Sequence, residues 1–103
     1  MMIARWSIDA KFGHKQNVVD AMKRWMQDIA PKVGITEERS RLMTGSIGAL
    51  EATVQSEHVI EDLAELNRAW DKLATIPAHQ QWGKELEPYV VSGTSRWEIY
   101  RLL

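Results

Sequence analysis

Three histidines, two tyrosines and five tryptophans are the side chains in this 103-residue chain with the most chemistry to offer. His79 follows Pro77 and stands three residues before Trp82. An imidazole changes charge near neutral pH, so His79 could act as acid, base or axial ligand. It is the candidate catalytic residue, weighed against the plainer reading of an exposed or locally bonded histidine. His14 and His58 fall at expected helix starts, where the dipole gives a charged imidazole no advantage, and both are read as surface residues. There is no HExxH or paired-histidine spacing and no cysteine. No protein-ligated metal, disulfide or cysteine nucleophile is therefore expected, and no cofactor is assigned.

Trp6, Trp25, Trp70, Trp82 and Trp97 are a large aromatic load for so short a chain. The plainest reading is that they fill the core, each indole N–H finding an acceptor. The functional reading is a pocket for a flat or apolar ligand, with Trp6, Trp70, Trp82 and Trp97 as its walls. Trp25 is read as ordinary helix packing. Ser7 and Tyr100 could add polar ligand contacts.

Elements must position these residues. Met2 to Asp9 alternates with period two, placing Trp6 and Ile8 on one face of a strand and Arg5 and Ser7 on the other. From His14 to Ala30 the period is helical, with Val18, Met22, Trp25, Met26 and Ile29 in one stripe ended by Pro31. Arg39 to Thr44 and Ala49 to Gln55 read as two strands joined by Gly45-Ser46-Ile47-Gly48. Leu50, Ala52 and Val54 share one face of the second. Ser56 is the expected N-cap of a helix through Val59, Leu63, Leu66, Trp70 and Leu73, ended or kinked by Pro77. Ala78, Trp82 and Leu86 form a shorter stripe, and a last strand follows Gly93.

The order strand–helix–strand–strand–helix–strand is the split βαβ, or ferredoxin-like, arrangement. The expectation is one α+β domain over residues 1–103, with a four-stranded antiparallel sheet and its helices on one face. The other face would carry Arg5, Ser7, Glu51, Thr53, Gln55, Arg96, Glu98 and Tyr100.

Arginine and lysine are sorted unevenly. Arg5, Arg39, Arg41, Arg96 and Arg101 lie in expected strand segments, whereas every lysine lies in a helix or loop. Arginine suits covered ion pairs because its planar fork binds carboxylates and is weakly hydrated. A polar sheet face covered by a second copy follows, with Arg5, Arg41, Glu51, Arg96 and Glu98 at a homodimer interface.

The element order, the LMTGSIGALEATV hairpin, the PAHQQW segment and the closing SRWEIYRLL strand resemble the dimeric α+β-barrel superfamily. That group contains the antibiotic-biosynthesis-monooxygenase-like and NIPSNAP-like domains. The resemblance implies a dimer in which two sheets close into a barrel, and a ligand pocket between each sheet and its helices. It also implies two activities. One is oxygenation without metal or flavin, where an electron-rich substrate itself reacts with oxygen. The other is haem degradation, which uses a first-strand Asn with a Trp and a His in the second helical region. Trp70 and His79 loosely match the last two, but the first strand offers Ser7 and no Asn.

Other classes are excluded. The net charge is −1, from 13 basic and 14 acidic residues, and offers no general attraction to nucleic acid. The expected third strand lacks the aromatic residues of an RNA-recognition sheet. The Gly45–Gly48 segment joins two strands and is too short for a phosphate loop. No apolar run approaches a membrane span or a signal-peptide core, so a cytoplasmic protein is expected. The expected function is binding of a small apolar or aromatic molecule. Cofactor-independent oxygenation is one extension of it, and a non-catalytic dimeric module for a metabolite or protein is the alternative.

Overall fold

A computed structural model describes all 103 residues. The period-two stretch forms β1, Met2–Asp9, and the helical stripe after it forms α1, Lys15–Asp28. Short 3-10 turns over Ala30–Val33 and Glu37–Arg39 lead into β2, Ser40–Thr44. β3 is Thr53–Ile60, and α2, Leu63–Leu73, and α3, Pro77–Leu86, follow before β4, Arg96–Arg101. All pairings are antiparallel and the strand order is β2-β3-β1-β4. The ferredoxin-like α+β expectation holds.

The second hairpin strand lies further along the chain than the alternation suggests. The connection from β2 runs over residues 45–52, and Gly45 N donates to Thr53 O to close it. A Cβ at Gly45 would stand 1.9 Å from Leu50 O, so only glycine fits there. Leu50 and Glu51 therefore belong to an exposed loop and to neither sheet face. Glu51 meets only Lys15, at 3.6 Å. Ser56 is not a helix cap: Ser56, Glu57 and His58 are buried strand residues. The cap is Asp62, whose Oδ1 accepts from Glu65 N at 2.8 Å, while Glu65 Oε2 accepts from Glu61 N at 2.7 Å. Pro77 opens α3, where its missing N–H costs nothing.

The register sets out the two faces. Arg41, Glu57, Arg5 and Glu98 stand opposite one another across β2, β3, β1 and β4, on the face without helices. Glu57 is 3% exposed and accepts from Arg5 Nε at 2.8 Å and Arg41 Nε at 2.7 Å. Glu57 thus takes the place expected of Glu51. Arg39 sits in the turn before β2 and pairs with Glu65 at 3.1 Å. The neighbouring level, on the helix face, is Leu42, Ser56, Trp6 and Trp97.

The helix face holds two cores. One gathers Ile8, Val18, Met22, Val54 and Leu86; the other is Ala4, Ile60 and Leu66. No helix is long and apolar enough to cross a membrane.

Two stability predictions follow. Burial pushes the Glu57 carboxyl up, but the hydrogen bonds from Arg41 and Arg5 outweigh it and hold it below the ordinary carboxylate value. A carboxyl of lowered folded pKa stabilises above its unfolded pKa and loses that contribution as the pH falls through the folded value. Glu57→Gln should cost about 1–2 kcal/mol at neutral pH. The deficit should shrink below pH ~4. Urea unfolding at pH 7 and pH 3 checks this, and an equal deficit at both would contradict it. Asp62→Ala should cost about 1 kcal/mol at pH 7, because it removes a helix cap.

Candidate functional site: an aromatic pocket between sheet and helices

The two cores do not meet, and a cavity of about 260 Å³ lies between them, bounded by Met22 of the first and Leu66 of the second. Its floor is the sheet: Leu42, Ser56, His58, Trp6 and Trp97. α1 contributes Met22, Trp25 and Met26; α2 contributes Leu66, Ala69, Trp70 and Leu73; α3 contributes His79 and Trp82. All five tryptophans and two of the three histidines line it. No Asp, Glu, Lys or Arg does. A small residue helps keep the space open: Ala69 on α2 stands where a longer side chain would fill it.

Three indoles are anchored. Trp82 Nε1 donates to Ala21 O at 2.6 Å, Trp6 Nε1 to Ser95 Oγ at 2.8 Å, and Trp25 Nε1 to His79 Nδ1 at 3.0 Å. Trp82 packs at 6.3 Å from Trp6 and 6.2 Å from Trp25, and stacks on His79 at 5.9 Å and 14°. Trp70 and Trp97 form the mouth. They meet edge to face at 5.3 Å and are 38% and 42% exposed.

The two histidines are held differently. His58 Nδ1 lies 2.9 Å from Ser40 Oγ, and that hydroxyl donates to Thr36 O at 2.7 Å. Burial pushes the His58 imidazole down to about 4, against a smaller upward pull from Glu57. It is neutral at physiological pH. His79 is half-buried, and burial lowers its pKa as well. An indole N–H can only donate, so His79 Nδ1 accepts and the imidazole is neutral while that bond stands.

The expected walls Trp6, Trp70, Trp82 and Trp97 are brought together, with His79 beside them. Ser7 and Tyr100 are not. Ser7 is fully buried on the opposite face, where its hydroxyl accepts from Gln55 Nε2 at 3.1 Å. Tyr100 lies on that face too, under the Arg5 guanidinium at 4.9 Å, and its hydroxyl donates to Glu98 at 3.0 Å. Strand alternation decides this, since neighbours of inward Trp6 and Ile99 must point outward. Trp25 is a pocket wall as well as a packing residue, and His58 is a pocket residue rather than a surface one. The spacing Val54, Ser56, His58, Ile60 carried that signal.

Haem does not fit this site. The cavity is smaller than the roughly 300–1,000 Å³ usual for small-molecule pockets. A tetrapyrrole would have to displace the anchored indoles.

No protein-family model matches the chain, and no curated protein does. Solved structures do. A NIPSNAP family protein from Agrobacterium tumefaciens superposes with a TM-score of 0.80 at 16% identity, covering 99% of this chain and 85% of that one. A putative antibiotic biosynthesis monooxygenase from Nitrosomonas europaea gives 0.70 at 8% identity, covering 100% and 99%. SnoaB, a cofactor-independent oxygenase from Streptomyces nogalater, gives 0.69 at 14% identity, covering 99% and 92%. With the anchored pocket on the helix face of a β2-β3-β1-β4 sheet, these similarities identify the fold as that of the NIPSNAP-like and antibiotic-biosynthesis-monooxygenase-like proteins.

Proposed function

We propose that this protein binds a small, flat, uncharged and mainly apolar molecule in the aromatic pocket, one per subunit of a homodimer. The cavity carries the reading. Five tryptophans packed for stability alone would leave little void, because interiors pack to crystal-like density. Here about 260 Å³ stays open among rings held in place by hydrogen bonds. An engineered apolar cavity of ~150 Å³ takes one benzene, so a ligand of about two fused rings suits this space. The uncharged lining favours a neutral molecule, since an unpaired ion would be costly to desolvate here.

The homodimer accounts for the other face. Arg5, Arg41, Arg96, Glu98 and Tyr100 lie there, and Glu57 is already neutralised by Arg5 and Arg41. Two such faces would meet with their arginines already paired, Arg5 and Arg41 to Glu57 and Arg96 to Asp9. Every residue of edge strand β4 is exposed, including Trp97, Ile99 and Tyr100. Burial of that strand by a second copy would remove an open sheet edge.

Oxygenation of the bound molecule without a cofactor is the second reading. His79 favours it as the only histidine that is both in the pocket and half exposed, and SnoaB, of the same fold, is a cofactor-independent oxygenase. In this reading His79, whose Nδ1 accepts from Trp25, contacts the ligand through its Nε2 hydrogen and acts as the proton donor.

Native mass spectrometry should give twice the 11.8 kDa chain mass, with added mass when the protein comes from its own host. Tyr100→Asp should return the monomer. A bare wild-type monomer would overturn the dimer. Naphthalene or 2-naphthol should bind the purified protein by isothermal titration, and failure of both to bind would overturn the pocket. His79→Ala should keep the circular dichroism spectrum and weaken naphthalene binding by about tenfold, having freed the Trp25 ring. Unchanged binding and turnover would remove His79 from the site.

A further inference from the structure

The pocket contains a hydrogen-bond acceptor whose polarity is set by the protein. Ser40 has one hydroxyl hydrogen, and it is directed to Thr36 O at 2.7 Å. Its contact with His58 Nδ1, at 2.9 Å, must therefore run the other way: His58 Nδ1 carries the hydrogen and Ser40 Oγ accepts it. A neutral imidazole protonated at Nδ1 presents a bare lone pair at Nε2. No side chain or backbone group of the protein bonds that nitrogen, while no buried side-chain nitrogen or oxygen is left unpartnered. Nε2 must then open on to space, and the space beside His58 is the cavity.

His79 is set in the opposite sense. Its Nδ1 accepts from Trp25, so its hydrogen is on Nε2. Both imidazoles pack against the Trp25 ring, at 6.0 and 6.2 Å between centroids. The remaining polar pocket residue, Ser56, can donate or accept as its hydroxyl turns. His58 Nε2 is thus the one free side-chain nitrogen or oxygen of the pocket lining that can accept and cannot donate, the Met22 and Met26 sulfurs being only weak acceptors. A purely hydrocarbon ligand would cover Nε2 and leave it unpaired in a dry site, which costs binding energy. A ligand with a donor there would not.

We infer that His58 Nε2 is a specificity-determining acceptor, and that the pocket selects neutral aromatic molecules of about two fused rings carrying an O–H or ring N–H over hydrocarbons and ethers of the same shape. Ser40 and Thr36 are positioning residues that keep the lone pair turned inward. This inference rests on the pocket reading above and adds the chemical class of its ligand.

The test compares 2-naphthol, 2-methoxynaphthalene and naphthalene by isothermal titration on the full-length protein. 2-Naphthol should bind about tenfold more tightly than 2-methoxynaphthalene. His58→Phe should bring that ratio close to one. Ser40→Ala, which frees the Nδ1 hydrogen and lets the tautomer change, should lower the ratio as well and keeps the inference testable if His58→Phe does not fold. Equal affinities for the naphthol and its ether, or a tenfold ratio that survives both substitutions, would overturn the inference while leaving the pocket standing. If none of the three compounds binds, the pocket reading itself falls and the inference falls with it.

Discussion

The Glu57 carboxylate, gripped by Arg5 and Arg41, is the contact on which the arrangement depends. It ties three adjacent strands at one level. Side chains alternate faces along a strand, so sliding β3 by one residue would turn Glu57 into the apolar layer and His58 out of it. An unpaired carboxylate there would be far more costly than any packing it might gain. One ion cluster on the outer face thereby determines which residues the inner face offers. Ser56 and His58 reach the pocket because Glu57, between them, cannot.

Apolar packing alone would not have kept a cavity. Leu and Met side chains change rotamer to fill gaps, and Met22 and Met26 stand at this one. The anchored indoles resist collapse. Trp82 is tied to the α1 backbone, Trp6 to the segment before β4, and Trp25 to α3, so each bond spans two elements. Closing the space would break such bonds and strand indole N–H groups in an apolar layer. Trp70 and Trp97, with neither indole bonded to the protein, are free to adjust at the entrance.

Most of the fold was legible because its periods are clean. β1 alternates apart from Ile3, and α1 carries an unbroken apolar stripe. The hairpin was harder. Ala49 to Gln55 alternates acceptably, and Ser56-Glu57 resembles the start of a helix, so the expected strand ended where the real one is just beginning. Two physical cues favour the true boundaries. Asp62 with Glu65 makes a stronger capping pair than Ser56, and Gly45 through Gly48 is better suited to opening a long loop than to making a tight turn. The same slip sent His58 to the surface and chose Glu51 as the arginine partner. Trp25 was misread for a different reason. Its helical spacing marks an inward residue, and no spacing tells packing from lining. Ser7 and Tyr100 were judged by chemical type against the alternation that had already placed them outward.

The two histidines show how far the inner face departs from an ordinary core. A core usually silences its polar groups by pairing every donor and acceptor. Here each imidazole is paired through one nitrogen only, and the pairings are complementary: His58 gives its hydrogen to Ser40, and His79 receives one from Trp25. The two remaining nitrogens are an acceptor and a donor. Burial lowers the pKa of both rings, so a change of pH near neutrality does not erase the distinction. A structural core gains nothing from leaving these atoms open, whereas a binding site gains selectivity between ligands of similar shape. The rigidity of the aromatic walls and the fixed polarity of the imidazoles thus support the same proposal, that this layer of the molecule binds a small neutral ligand.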